Sequence, residues 1–222
     1  MDRDTAQARK HMVDGQLRPN RVNDPRLIAA MLAIPREDFL PAGLAPRAYT
    51  DEDVPLPGGR ALIEPMVIAR LLQLLALRDG DRLLIVGAGT GYAAAVAAAC
   101  GARVTAVEDD PALLAIARRA LPRHTRAEEA RVVEAPVGAG DPSGAPYDAI
   151  LIEGALPEVP AAIATQLAEG GRLATVLESS GPGRSSRAVL GRRLGGTFSV
   201  TDAFDCATPS LPAFRRAPGF VF

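Results

Sequence analysis

Residues 83–109, LLIVGAGTGYAAAVAAACGARVTAVED, constrain the fold of this chain more than any other stretch. An apolar run ends at Val86, three glycines follow within five positions, an alanine-rich helical run comes next, and RVTAVE then reads as a second strand closing on acids. A strand, a tight glycine turn, a helix and another strand in this order form a βαβ unit, whose two strands lie parallel. Glycine at the turn brings backbone close to whatever sits at the helix N-terminus, where unpaired N–H groups favour an anion or a polar ligand. An open parallel sheet, with its ligand outside the carboxyl ends of the strands, is the expectation.

The flanking segments extend this unit in both directions. Residues 5–40 alternate helical patterns with breaks: in DPRLIAAMLAIP, Asp24 can cap, Pro25 opens the helix, and Leu27, Ile28, Met31 and Leu32 form an apolar face. Residues 41–57 have no sustained period and predict an irregular connection, while 64–77 predict a helix opening at Pro65. Beyond the second strand come a helix in PALLAIARRAL, strands in RVVEA, YDAILIE and GRLATVLE, and a helix in PEVPAAIATQLAEGG stopped by Gly170 and Gly171. SSGPGRSS reads as a turn or loop, and AVLGRRLGG with TFSVTDAFD as an antiparallel pair. The chain is expected to be one domain over 1–222, with a helical layer and loop at 1–60, a binding core at 61–180, and C-terminal strands and tail at 181–222. The fold class is α/β, Rossmann-like and doubly wound, mostly parallel with an antiparallel C-terminal strand.

Composition narrows the partners. With 25 Lys and Arg against 26 Asp and Glu, the net charge of −1 gives no field to attract nucleic acid or an anionic membrane, and aromatics at 4% with no Trp offer no base-stacking surface. No apolar run approaches the roughly 18 residues of a membrane span, and the N-terminus has no signal-peptide core. Cys100 and Cys206 are isolated, which fits a reducing cytoplasm, and Cys100 reads as a small buried hydrophobe. His11 and His124 lie in no cluster of metal-ligand spacing, so no metal site is expected. Asp51, Glu52 and Asp53 read as a solvated loop, and Asp148 as a residue that starts a strand and orients a neighbouring loop.

Gly87, Gly89 and Gly91 give G-x-G-x-G, whereas the dinucleotide fingerprint is G-x-G-x-x-G or G-x-G-x-x-A. The sixth place is Tyr92, too large for the close helix–strand packing of that fingerprint, which argues against a nicotinamide oxidoreductase. Glu108, about twenty residues past the first glycine, stands at the end of the second strand, where a carboxylate accepts hydrogen bonds from ribose hydroxyls. An adenosine-type ligand follows; in the alternative, Glu108 merely caps the next helix.

These residues resemble the S-adenosylmethionine-dependent methyltransferases, and among them the protein-L-isoaspartate O-methyltransferase family. The resemblance is carried by DPRLIAAMLAIPREDFLP, AYTDEDVPLPGG, VGAGTGYAAAVAA and APYDAILIEGALPEVPAAIATQLAEGGRLATVL, and fades over roughly the last forty residues. It implies a seven-stranded sheet and S-adenosyl-L-methionine held by Gly87, Ala88, Gly89, Gly91 and Tyr92. Ribose then lies on Glu108 with Asp109 beside it, residues 56–65 lie over the methyl group, and the acceptor is a carboxylate in a protein or peptide. Glu153, following its strand at the carboxyl end, is a contact for cofactor or substrate.

The match breaks at three places. Where the family carries glycine-glutamine-threonine-isoleucine-serine, this chain has Gly59-Arg60-Ala61-Leu62-Ile63, so both hydroxyls are gone. Ile85 replaces the acid two residues before the loop, and Ala135 or Pro136 the aspartate near the adenine, for which Glu134 is the substitute. Methyl transfer to a carboxylate needs no general base, because a group with a reference pKa near 4 is ionised at pH 7. Orientation supplies the catalysis, so Arg60 and Ile63 become the candidate catalytic positions: Arg60 as a two-pronged clamp on a carboxylate, or else a solvated loop charge. A methyltransferase with a changed acceptor and a non-catalytic binding module are the alternatives. The tail DCATPSLPAFRRAPGFVF is compatible with closing over the site, pairing with a second subunit, or completing the sheet.

Overall fold

A computed structural model describes residues 2–179 and 186–215. Most of SSGPGRSS and the last seven residues of the tail lie outside the described residues. The N-terminal layer holds α1 (Asp2–Met12), which continues as a π-helical turn over Val13–Leu17, then α2 (Pro25–Ala33) and a 3-10 turn at Arg36–Phe39. Asp24 caps α2 as its sequence predicts, its carboxylate accepting from the Arg26 N–H at 2.9 Å. Residues 41–57 contain a further 3-10 turn at Ala42–Arg47 and β1 (Val54–Leu56), which pairs antiparallel with β2 (Arg60–Leu62).

After α3 (Pro65–Leu75) the sheet begins: β3 (Arg82–Val86), α4 (Tyr92–Ala99), β4 (Arg103–Glu108), α5 (Pro111–Ala120), β5 (Ala130–Glu134), β6 (Tyr147–Leu156), α6 (Ala161–Ala164), β7 (Leu167–Leu177), β8 (Arg187–Leu194) and β9 (Thr197–Asp205). The strands lie in the order β5-β4-β3-β6-β7-β8-β9, parallel from β5 to β7 and antiparallel at β7–β8 and β8–β9. Strand order reverses direction at β3, which pairs with β4 on one side (Val86 opposite Val107) and β6 on the other (Val86 opposite Ile152). A crevice opens at such a switch point, beyond the carboxyl ends of the strands.

Both faces of the sheet are covered, which is why its central strands read as continuous apolar runs. Leu83 and Ile85 belong to the core that includes Leu71 and Leu75 of α3, while Leu84, Val86, Ile150 and Ile152 belong to a second core. α4 is buried on every side, and its alanines let it lie close to the sheet beneath the N-terminal layer. Gly91, at φ +90°, makes the turn into α4, and a Cβ there would come within 3.1 Å of Leu121.

One expected element differs. The helix expected over PEVPAAIATQLAEGG is a single turn, and β7 already starts at Leu167. Gln166 overrides the local helical pattern: its carbonyl accepts from the Tyr147 N–H at 2.8 Å, and its side chain bonds Asp141 N at 2.9 Å and Ala139 O at 2.7 Å. Gly170 and Gly171 therefore fall inside a strand, where the pairing shifts from Tyr147 opposite Leu167 to Ala149 opposite Arg172, a bulge instead of a helix stop. Among the described residues no helix is long and apolar enough to cross a membrane, and no group of His, Cys, Asp and Glu could hold a metal ion.

Leu75 is fully buried between α3 and the sheet. Leu75→Ala should lower stability by ~2–5 kcal/mol, read as a lower urea midpoint with an unchanged slope; a loss under 1 kcal/mol would mean that α3 does not pack as described.

Candidate active site

At the crevice the glycine loop is pinned to the neighbouring strand, the N–H groups of Gly87 and Ala88 both donating to Val107 O at 3.0 Å. Gly87, Gly89 and Gly91 all have positive φ, at +69°, +56° and +90°. Glu108, at the end of β4, is completely buried; its Oε2 accepts from Gly89 N at 2.7 Å and its Oε1 from Asp109 N at 3.0 Å and Asp110 N at 3.1 Å. It is not the helix cap. Asp110 caps α5, accepting from Ala112 N at 2.8 Å and Leu113 N at 3.2 Å.

Arg60 reaches this carboxylate from the β1–β2 ribbon. The turn over Pro57–Gly59, with Gly58 at φ +68° and Gly59 at +71°, reverses the chain so that β2 runs back over the glycine loop. Arg60 Nη1 donates to both oxygens of Glu108 at 2.9 Å, and Nη2 donates to Gly87 O at 2.5 Å. With side-chain exposures of 7% and 0%, this is a buried ion pair and not a solvated loop charge.

The tail closes over the same place. Leu211 N donates to Ala155 O at 2.7 Å and Ala155 N donates to Pro209 O at 3.0 Å, which seats residues 209–211 beside β6. A Cβ on Gly87 would meet Leu211 methyls at 3.0 Å and Arg60 Nη2 at 3.2 Å, and one on Gly154 would meet Leu211 Cβ at 3.0 Å. The described part of the tail lies over Gly87 and Gly154 and also bridges the sheet, Ser210 pairing parallel with Ala155 of β6. Between residues 59–63, 153–154 and 208–211 there remains a cavity of about 10 Å³, room for roughly one water.

Glu153 and Ile63 both line that cavity. Glu153 is 6% exposed and its Oε2 has no hydrogen-bond partner. Burial pushes its carboxyl up to about 8; Arg60 and Arg36 pull against this and the Glu108 charge adds to it. Ile63 is buried, and its carbonyl accepts from Arg36 Nη2 at 2.8 Å. Arg36 itself is fully buried, donates through Nε to Ala48 O at 2.7 Å, and stacks its guanidinium 4.7 Å from the Tyr92 ring centroid. It ties the N-terminal layer to the segment that carries Arg60 and Ile63.

The structure thus brings together Gly87, Ala88, Gly89, Gly91, Arg60, Ile63, Glu108 and Glu153. Others stand apart. Tyr92 packs edge-on against Phe39, with centroids 5.5 Å apart, and so faces the helical layer. Asp109 Oδ2 accepts from Val137 N at 3.0 Å, holding the turn after β5. Glu134 pairs with Arg118 at 2.8 Å, its side chain 58% exposed. His124 pairs with Asp38 at 2.8 Å and His11 bonds Gln7 at 2.7 Å; Asp148 accepts from Arg82 N at 2.8 Å. Asp53 is not a solvated charge: its Oδ1 accepts from Glu64 N at 2.9 Å, and only Glu52 of that run pairs at the surface, with Arg47. Cys100 is buried and its thiol is pushed up to about 11 by burial. Arg36 and Leu211 escaped the sequence reading, because neither lies in a glycine, acid or hydroxyl motif.

The residues fit an adenosyl group in kind. Gly87 has a positive φ and its Cβ position is crowded by Leu211 and Arg60, a loop N–H is hydrogen-bonded to Glu108, and Glu108 sits where a ribose diol is received. A larger cavity of about 290 Å³, lined by Leu121, Pro122 and Val132, lies at the outer edge of β5; its arginines Arg118, Arg126 and Arg131 are paired with Glu134, Glu129 and Asp141.

Comparison with known proteins shows the family. The family model for protein-L-isoaspartate(D-aspartate) O-methyltransferase matches residues 7–201. A protein-L-isoaspartate O-methyltransferase of Methylorubrum populi is 42% identical over 189 residues, covering 85% of this chain and 87% of its own length. One from Koribacter versatilis is 37% identical over 198 residues, covering 89% and 87%. Among solved structures, a protein-L-isoaspartate O-methyltransferase superposes with a TM-score of 0.76 at 27% identity, over 91% of this chain and 65% of that one. A putative member from Plasmodium falciparum, in complex with S-adenosyl-L-homocysteine, shares the fold at TM-score 0.76 and 19% identity, over 92% and 98%. The chain belongs to the protein-L-isoaspartate O-methyltransferase family.

Proposed function

We propose that this chain is an S-adenosylmethionine-dependent O-methyltransferase that methylates a carboxylate in a damaged protein or peptide, with the isoaspartyl group as the first acceptor to test. The observation that carries the reading is Glu108, buried at the end of β4 and hydrogen-bonded to the glycine-loop N–H of Gly89. When bound, the cofactor supplies an electrophilic methyl on a sulfonium. Gly87, Ala88, Gly89 and Gly91 give the backbone of its site, and Glu108 the acceptor for ribose. Free Cys100 and Cys206 support a reducing, cytoplasmic setting.

The chain's own residues then orient the acceptor. Its carboxylate is ionised at pH 7, so no side chain has to remove a proton. Arg60 offers the planar two-donor face that binds a carboxylate bidentately, which no hydroxyl at Ile63 can now do. Glu153 holds its proton at neutral pH and therefore places no second negative charge beside the acceptor. Ile63 and Leu211 exclude water, which strengthens the remaining electrostatic contacts. A changed acceptor is the second reading, favoured by Ile63 standing in the cavity wall where the family has serine.

Calorimetric titration with S-adenosylhomocysteine, with NAD as control, tests the cofactor; binding of the former alone is expected, and no binding at millimolar ligand would sink the reading. Methyl transfer to an isoaspartyl peptide, with an aspartyl peptide beside it, then tests the acceptor. Glu153 provides an independent check on the site. Folded, it keeps its proton up to about pH 8; unfolded, it releases it near its ordinary 4.5, so the folded chain holds the extra proton between these values and stability falls as pH rises through them. Glu153→Gln should remove this loss, leaving the variant and wild type similar near pH 4.5 and the variant more stable above pH 8 by on the order of 5 kcal/mol. A stability difference that does not change with pH would show that Glu153 ionises normally.

A further inference from the structure

Arg60 and the ribose of a bound cofactor make demands on the same two oxygens. Glu108 accepts from Arg60 Nη1 and from the N–H groups of Gly89, Asp109 and Asp110, which fills the roughly four lone-pair sites of a carboxylate. No acceptor capacity is left for a diol. The same guanidinium also covers Gly87, where its Nη2 lies 3.2 Å from the position of a Cβ. A ligand that puts hydroxyls on Glu108 must displace Arg60.

We propose that Arg60 exchanges between two carboxylates, Glu108 in the free protein and the acceptor carboxylate of the substrate once ribose holds Glu108, so that the cofactor binds first and creates the acceptor site. This rests on the cofactor reading above and concerns the regulation of that same cleft. The exchange is local. Arg60 is fixed by its backbone in β2, opposite Leu56, so a released guanidinium stays in the cleft that Ile63, Glu153 and Leu211 line. Arg36, the other buried guanidinium near the cleft, is anchored by Nε on Ala48 O and Nη2 on Ile63 O, and only its Nη1 is unpartnered, so it cannot present a two-pronged face. Before exchange, the 10 Å³ cavity admits no acceptor side chain, and Arg60 has no free face to offer one. Cofactor and acceptor are therefore coupled through one side chain with two discrete partners.

Titrations of S-adenosylhomocysteine and of a synthetic isoaspartyl peptide, each alone and in the presence of the other, test this on the wild type, Arg60→Gln and Arg60→Lys. The wild type should bind the peptide at least tenfold more tightly with saturating S-adenosylhomocysteine, and by reciprocity the peptide should tighten the nucleoside equally. Arg60→Gln should bind S-adenosylhomocysteine at least tenfold more tightly than wild type, yet lose the peptide enhancement. Arg60→Lys, a point donor without the two-pronged face, should lose most of that enhancement as well. Opposite changes for the two ligands cannot come from a damaged fold, which would weaken both. Weaker or unchanged S-adenosylhomocysteine binding by Arg60→Gln, or a wild type whose peptide affinity ignores the nucleoside, would overturn the exchange while leaving the cofactor reading intact. A wild type that binds no S-adenosylhomocysteine at millimolar concentration would overturn both.

Discussion

The buried ion pair between Arg60 and Glu108 is the interaction on which the organisation of the cleft depends. It joins the β1–β2 ribbon to the end of β4 and, through Arg60 Nη2 and Gly87 O, to the glycine loop itself. Removing two charges from water is costly, and such a pair survives only when its remaining donors and acceptors are satisfied. Here they are: three backbone N–H groups converge on Glu108 and a carbonyl receives the second arm of Arg60. The arrangement fixes the position of the segment that covers the site, and Leu211 packs on top of it.

From that pair outward the cleft is held by groups supplied from both ends of the chain. Arg36, in the N-terminal layer, clasps the carbonyls of Ala48 and Ile63 and so sets the height of β2 and the start of α3 over the sheet. Residues 209–211, from the other end, bond to Ala155 and press Leu211 onto Gly87 and Gly154. Gly154 tolerates this approach for the same reason as Gly87: there is no Cβ to obstruct it. A sheet that puts glycine at the carboxyl ends of both β3 and β6 leaves a shallow floor, and the chain itself fills it.

The frame of this molecule was legible in its sequence because it is local. The capped start of α2, the limits of β4 and the apolar β3 each follow from patterns within a dozen residues, and their structural forms agree. The position of Glu108 beside the glycine loop was legible too, since it stands at the end of the strand that follows the loop. What stayed hidden depends on contacts far along the chain. Gln166 converts an expected helix into a bulged strand through bonds to residues 139, 141 and 147. Arg60 meets Glu108 across 48 positions, and only that contact distinguishes a buried clamp from a loop charge. Glu134 stands opposite Glu108 in the β4–β5 register, and its exposed side chain pairs with Arg118.

Ala61 and Ile63 offer the cleft no hydroxyl, and Arg60 and Glu153 line it with them. A hydroxyl positions a carboxylate by one hydrogen bond, whereas a guanidinium does so by two in a fixed planar fork and adds a full positive charge. A permanent cation in a buried cleft needs a counter-charge when the acceptor is absent, and Glu108 is the nearest one. That use of Glu108 makes the cation and the ribose compete for the same oxygens. Glu153, held neutral by burial, keeps the cleft from carrying a second carboxylate charge that would hold Arg60 after exchange. An arginine at this place therefore draws Glu108 into a buried ion pair, while Glu153 beside it is kept neutral by burial against the pull of that same arginine.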